Sequence, residues 1–353
     1  MTKQYFFNHS KIDVYFKPNH NDFVVTEVPL YQFSGDGEHL VVTIRKKDLS
    51  TWDMIAIISD YIGCKSRDIG YAGLKDKNAM TIQFISIPKI YETKIDEFKH
   101  TNIKIIDKTY HNNKIRVGHL KGNKFFIRLK RVSSHNSKII KSVLEQIITF
   151  GMPNYFGYQR FGINGDNYLK GQDIISGKLQ ERNKKLKQMY INSFQSFIFN
   201  NWLSKRIEIS KLINNFEISE IYKKLNMTEN EVRVLKQQKH PFKILLGDVM
   251  SHYPFGRIFH AQDLVSEADK FNLRDRVPTG LLCGKKTKIA IYNAREIELL
   301  YDEKTTQNGS RRFAWIFPSD IESNFKEENN WLELKFTLPK GSYATELISE
   351  LIH

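Results

Sequence analysis

A chain of 353 residues with 41% hydrophobic residues can bury one large core or two, and its excess of Lys and Arg over Asp and Glu, 54 to 39, leaves a formal net charge of +15. Cys64 and Cys283 are its only cysteines, which excludes a disulfide framework, and neither has Cys or His neighbours at zinc-ligand spacing. No apolar run approaches the ~20 residues needed to span a bilayer, and MTKQYFFNHSK lacks an apolar signal core, so a soluble, unprocessed cytoplasmic protein with no membrane partner is expected.

The opening predicts strands. Ile12, Val14 and Phe16 alternate, the pattern resumes at Phe23 and Val25, and EHLVVTIRKK follows as a third run. Ser50 and Thr51 are candidate N-caps for a helix in which Ile55, Ile58 and Ile62 recur at helical spacing and Gly63 supplies the stop. MTIQFISIP predicts a strand ended by Pro88. IKIIDKTY, KIRVGHL and KFFIRLKRV predict further strands, with Gly122 and Asn123 marking a turn between the last two, and a helix over Lys138 to Phe150 follows.

Pro153 to Asn167, PNYFGYQRFGINGDN, has the Gly, Pro and Asn density of an ordered loop, and beyond it the chain becomes helical and Lys-rich. The polar run Thr305 to Arg312 marks a second boundary, after which FAWIFP and NWLELKFTLPKGSYATELISELIH return to strands and a terminal helix. Two β-rich ends around a helical middle suggest an inserted domain.

Within GYAGLKDKNAMTIQ, Gly70 to Gln83, one carboxylate, Asp76, stands between Lys75 and Lys77 behind residues of little bulk. A ligand can approach closely there, and two flanking ammonium groups favour the charged form of the acid. An ionised, approachable carboxylate suits a nucleophile or a stabiliser of positive charge better than a general acid. The same letters also suit a solvated hairpin turn. GLLCGKKT, Gly280 to Thr287, is not a phosphate loop: it has three residues between its glycines instead of four, and Lys286 stands where Ser or Thr is needed. The eleven His are scattered and no carboxylate cluster suggests a two-metal site, which leaves chemistry without metal or small-molecule cofactor.

The positive charge makes nucleic acid the leading partner. The 16 Tyr and 24 Phe interleave with basic residues, as in KGNKFFIRLKR and PNYFGYQRFG, an arrangement that offers faces to unstacked bases as well as rings to a core.

GYAGLKDKNAMTIQ, LKGNKFFI, PNYFGYQRFG and LPKGSYATELISELI, with DFVVTEVPL and GEHLVVTIRK before them, resemble the TruD family of tRNA pseudouridine synthases. The matching blocks run in family order from about Phe16 to the C-terminus. The resemblance implies an α+β fold: a pseudouridine synthase catalytic domain (1–152 and 309–353) with a mixed, largely antiparallel sheet flanked by helices, and an inserted TruD-specific α/β domain (153–308). It implies isomerisation of uridine in tRNA, typically at position 13, without cofactor; separately from the resemblance, a monomer is expected. The catalytic Asp of the family's GLKD motif falls on Asp76.

By the same resemblance Phe23, Phe125 and Tyr343 fall on positions of the uridine pocket, where Tyr343 departs from the more common Phe. The alternative for each ring is core packing. Asn123 can read a uracil edge, orient Asp76, or sit in a hairpin turn. Lys17 matches a basic family position able to pair with Asp76 or a phosphate, and is equally suited to a solvated surface. Arg160 is a weaker candidate, as loop anchor or phosphate contact. Lys184, Lys185, Lys187, Lys285, Lys286 and Lys288 are expected to give the insertion one wall of a basic cleft facing the catalytic sheet. A non-catalytic RNA-binding protein and an RNA hydrolase are the rivals: the first needs no GLKDK, GNxF and GSYAT together, and the second predicts strand scission or base release.

Overall fold

The computed structural model describes residues 3–303, 305 and 307–353; Thr306, in the expected boundary run, lies outside them. The first part contains β1 (Phe23–Pro29), β2 (His39–Lys46), α1 (Thr51–Ile62), β3 (Gly70–Tyr71), β4 (Met80–Pro88), α2 (Glu92–Glu97), β5 (Ile103–His111), β6 (Leu120–Lys130) and α3 (Ser134–Phe150). The middle contains β7 (Met152–Pro153), α4 (Asn167–Ile175), α5 (Lys184–Asn215), α6 (Ile218–Ile221), α7 (Glu229–Gln237), β8 (Val249–His252), β9 (Ile258–His260), α8 (Leu264–Asn272), β10 (Arg276–Leu282), α9 (Tyr292–Leu299) and β11 (Ser310–Phe313). β12 (Trp315–Ile316), β13 (Ser319–Lys326), β14 (Trp331–Pro339) and α10 (Ala344–Ile352) close the chain.

An eight-stranded sheet in the order β13-β14-β6-β1-β4-β2-β5, with β3 on β4, joins both chain ends. Only β1 and β4 pair in parallel within it; the other pairs are antiparallel. β14 therefore lies beside β6 although some 200 residues separate them, so the two β-rich ends form one layer. A second sheet, β11-β10-β8-β9, belongs to the middle of the chain. Trp315 links the regions, its ring lying 4.7 Å from Phe6 and 5.0 Å from Phe242.

Local signals account for much of this. The Ser50 side chain accepts from the Asp53 amide while Asp53 caps the Ser50 amide in return, and Gly63 ends α1 in the left-handed region at φ 75°. Met54, Ile55, Ile58 and Ile62 bury one face of α1 against Leu40, Val42, Ile44, Ile85 and Ile87 of the sheet. Ser133 accepts from the Asn136 amide, so α3 starts at Ser134, four residues before the first apolar repeat had suggested.

Three sequence expectations fail. Ile12 to Phe16 makes no strand, only an isolated bridge from Tyr15 to Lys130, because Ile12 and Phe16 pack into the core without a continuous ladder. Residues 114–119 form a loop in which Ile115 is buried and its amide donates to the Ser86 hydroxyl. Gly122 and Asn123 are not a turn; they lie inside β6, opposite Pro339 and Leu338. Gly122 is needed there because a Cβ would stand 2.3 Å from the Leu338 carbonyl oxygen.

Candidate active site

The segment between β3 and β4 carries Asp76, and its position is fixed from several sides. The Lys75 amide donates to the Thr51 hydroxyl at 2.9 Å, tying the segment to the first turn of α1. Lys46, at the end of β2, donates its ammonium to the Leu49 carbonyl at 2.6 Å and to the Asp76 backbone carbonyl at 3.2 Å. Burial pulls the Lys46 ammonium down to about 8, against the opposing pull of Asp76.

The expected flanking pair works differently from the sequence reading. Lys75 turns away from Asp76 into the sheet, where its ammonium is 2.8 Å from a Glu27 carboxylate oxygen and donates to Asn123 Oδ1 at 2.6 Å. Both partners of that ion pair are almost wholly enclosed, and burial raises the Glu27 carboxyl while Lys75 opposes the rise. Lys77 is exposed. The cation drawn close to the Asp76 segment is thus Lys46, thirty residues away and silent in the local motif.

Asp76 itself is exposed, and its Oδ2 accepts from the Gln159 side chain at 3.2 Å. Gln159 comes from the Pro153–Asn167 loop, which Arg160 anchors by donating to the Ser196 hydroxyl of α5 at 3.0 Å. Gly157 lets this loop lie against Tyr343, since a Cβ there would stand 2.8 Å from the ring.

Beside Asp76 opens a cavity of about 210 Å³ lined by Phe23, Val25, Leu74, Lys75, Asp76, Asn123, Phe125, Gln159, Ser342, Tyr343, Ala344 and Thr345. The register explains the grouping: Val25 of β1 lies opposite Phe125 of β6, which lies opposite Phe336 of β14. The Phe23 and Phe125 rings are 6.1 Å apart and nearly parallel, and Phe125 is 5.4 Å from Phe336. Tyr343 precedes α10, and burial raises its phenol, with Arg160 and Arg312 opposing. The hydroxyls of Ser342 and Thr345 are buried and have no hydrogen-bond partner among the described residues.

Five of the six residues singled out in the sequence, Asp76, Phe23, Asn123, Phe125 and Tyr343, line this one cavity. Lys17 does not: it is exposed, and no ion pair joins it to Asp76 among the described residues. The carboxylate near it, Asp22, is held by Asn19, Lys130 and Arg128, which together outweigh burial and lower its carboxyl below the usual range. Glu27, Lys46, Gln159, Ser342 and Thr345 were not foreseen. Only Glu27 left a trace, as an acid inside an apolar strand pattern. Lys184, Lys185, Lys187, Lys285, Lys286 and Lys288 are all exposed.

Among the described residues no group of three His, Cys, Asp or Glu could hold a metal ion, and no helix is long and apolar enough to cross a membrane.

The family model described as tRNA pseudouridine synthase D (TruD) matches residues 2–184 and 179–351. A tRNA pseudouridine synthase D of Sulfurimonas denitrificans is 51% identical over 351 residues, covering 99% of this chain and 98% of the relative. That of Nitratiruptor sp. is 53% identical over 354 residues, covering 100% and 98%. A crystal structure described as a tRNA pseudouridine synthase D from Methanosarcina mazei superposes with a TM-score of 0.73 at 19% identity, over 99% of this chain and 95% of that one, which shows a common fold. With the family matched along almost its whole length, the chain belongs to the TruD family of tRNA pseudouridine synthases.

Proposed function

We infer that this chain is a tRNA pseudouridine synthase that isomerises uridine to pseudouridine, with Asp76 as its catalytic carboxylate and position 13 of tRNA as its target. The observation that carries the reading is the carboxylate of Asp76 at a cavity of about 210 Å³ walled by the rings of Phe23, Phe125 and Tyr343. That space suits one nucleobase and excludes a helical stem, so the target uridine must leave its stack, at a cost of a few kcal/mol that contacts with aromatic walls offset.

In the reaction the N1–C1′ bond breaks, the uracil turns, and a C5–C1′ bond forms. C5 loses its proton and N1 gains one, so the product has the mass of the substrate. Bond breaking leaves electron deficiency at the sugar, which a carboxylate can attack or stabilise, as glycosidase carboxylates do. Nothing in this sequence of bonds calls for a redox step, and the enzyme works without cofactor. Asn123 presents an amide to the uracil edge while its Oδ1 is held by Lys75 at 2.6 Å. The unpartnered hydroxyls of Ser342 and Thr345 add polar contacts for a ligand rich in donors and acceptors.

The protein acts as a cytoplasmic monomer in this reading, and 153–308 form its inserted domain, with β11 extending that domain's sheet slightly past the expected edge. The test is carbodiimide mapping of pseudouridine in total tRNA incubated with the protein and with Asp76→Asn. The wild type should mark one position and the variant none, while the variant keeps its fold and most of its tRNA affinity, because phosphate contacts dominate affinity. Turnover by the variant would sink the assignment of Asp76; release of free uracil by the wild type would sink the reaction.

A further inference from the structure

A groove of about 760 Å³ opens where β2 ends and β5 begins, lined among others by Arg45, Lys46, Lys47, Lys99 and Lys104, with Asp96 its one carboxylate. Asp96 is already paired with Lys108. Arg45, Lys47, Lys99 and Lys104 make no side-chain hydrogen bond, ion pair or ring contact among the described residues; three of them are exposed and Lys47 half-buried. Arg45 stands directly opposite Lys104 in the β2–β5 ladder. Like charges so placed destabilise a sheet. On the next strand Arg45 faces Ile82, which offers no relief. A fold that keeps this repulsion, with no carboxylate paired to Arg45 or Lys104 among the described residues, holds a surface organised for an anion from outside.

The groove adjoins the segment that carries Asp76. Lys46 lines it and donates to the Asp76 carbonyl, and Met80, four residues beyond Asp76, lines it too. We propose that this groove is a phosphate-binding track for the RNA strand adjoining the uridine held at Asp76, with Arg45, Lys47, Lys99 and Lys104 as its backbone contacts. The proposal rests on the reading of the chain as a tRNA-modifying enzyme and adds where the strand runs: over the sheet end formed by β2 and β5, on the catalytic domain. Four unpaired cations along one groove suit an extended polyanion better than a single anionic group, and phosphate contacts carry no base specificity.

The experiment is tRNA binding against salt concentration, with pseudouridine kinetics on the same substrate, for the wild type and for a variant carrying Arg45→Gln, Lys47→Gln, Lys99→Gln and Lys104→Gln. Each lost phosphate contact removes roughly 0.7 to 0.9 from the slope of log affinity against log salt, so the slope should flatten by about 3 and kcat/KM should fall at least tenfold through KM. The melting temperature should hold or rise, because the Arg45–Lys104 repulsion is gone. The pair Arg45→Gln, Lys104→Gln gives about half the change in slope and serves if the fourfold variant folds poorly. A wild-type slope and KM in either folded variant overturns the groove while leaving the enzyme reading intact. A wild type that binds tRNA and forms no pseudouridine overturns the enzyme reading, and the slope of the variant then still decides whether the groove holds RNA.

Discussion

The two walls of the Asp76 cavity differ in how fully their polar groups are satisfied. The sheet wall is core: Phe23 and Phe125 are 3% and 6% exposed, and beside them Lys75 pairs with the buried Glu27 and donates to Asn123. The other wall, from α10 and the Pro153–Asn167 loop, offers two buried hydroxyls without partners and an exposed Gln159 reaching Asp76. An ion pair such as Lys75–Glu27 holds its wall in place, and an unpaired hydroxyl waits on a ligand or water to satisfy it. The sheet wall therefore belongs to folding as much as to function, and the helix-and-loop wall answers mainly to the substrate.

The largest effect that tests this contrast is at the buried ion pair. Lys75→Met leaves the Glu27 carboxylate enclosed without its cation, and breaking such a pair from one side typically costs about 3 to 5 kcal/mol. Adding Glu27→Gln to Lys75→Met should restore much of the loss, since no buried charge is then stranded. Urea unfolding of the three variants measures the coupling. A double variant destabilised by the sum of the two single losses would mean that the two residues contribute independently.

Phe125→Ala comes next. Its ring lies between Phe23 and Phe336, so truncation should cost roughly 3 to 5 kcal/mol of folding stability. As a cavity wall it should also slow the reaction by the ~1 to 3 kcal/mol of a base stack. A melting curve and a single-turnover rate separate the two: a stability loss without a rate loss makes the ring core alone, and the converse moves it to the other wall's class.

This double duty explains what the sequence could and could not reveal. Asp76, Phe23, Asn123, Phe125 and Tyr343 sit in dense local motifs, and the strand register gathers them. Lys46 and Gln159 reach Asp76 from β2 and from a distant loop, and no pattern around either residue says where it will point. The turn expected at Gly122–Asn123 failed for a similar reason. Glycine is a local sign of a turn, but here it answers to the approach of Leu338, a strand more than 200 residues later. Lys75 was identified as a neighbour in sequence and proved a partner of Glu27, because strand pairing set its direction.

A pH effect of intermediate size tests the far end of the helix wall. Glu350 of α10 is buried, accepts from the Phe6 amide at 2.9 Å, and is pushed up to about 7 by burial, against the pull of Lys3. Its folded value lies above its unfolded one, so the folded state keeps a proton that the unfolded state releases between them. Its contribution is full below about 4.5 and is lost as pH rises through about 7. Stability should thus fall by of order 1 to 3 kcal/mol from pH 4.5 to 8 on this account. Glu350→Gln keeps an acceptor for the Phe6 amide and should flatten that dependence. A variant whose stability follows pH like the wild type would place the titration elsewhere.

The smallest expected effect is at Gln159, and it is the sharpest test of the contrast. Its side chain is exposed, so Gln159→Ala should leave the melting temperature within a degree or so, surface changes usually being worth under about 0.5 kcal/mol. The hydrogen bond to Asp76 Oδ2 is 3.2 Å long and solvated, which makes it worth about 1 kcal/mol, or roughly a fivefold loss in rate. Gln159→Glu keeps the length and brings a second carboxylate toward Asp76. If the contact orients the Asp76 carboxylate for the proposed reaction, this variant should be slower than Gln159→Ala, because it replaces a donor with a like charge and not merely with space. A Gln159→Glu enzyme as fast as the wild type would mean that the loop wall touches Asp76 without governing it, and would assign control of the carboxylate to Lys46 and the sheet side alone.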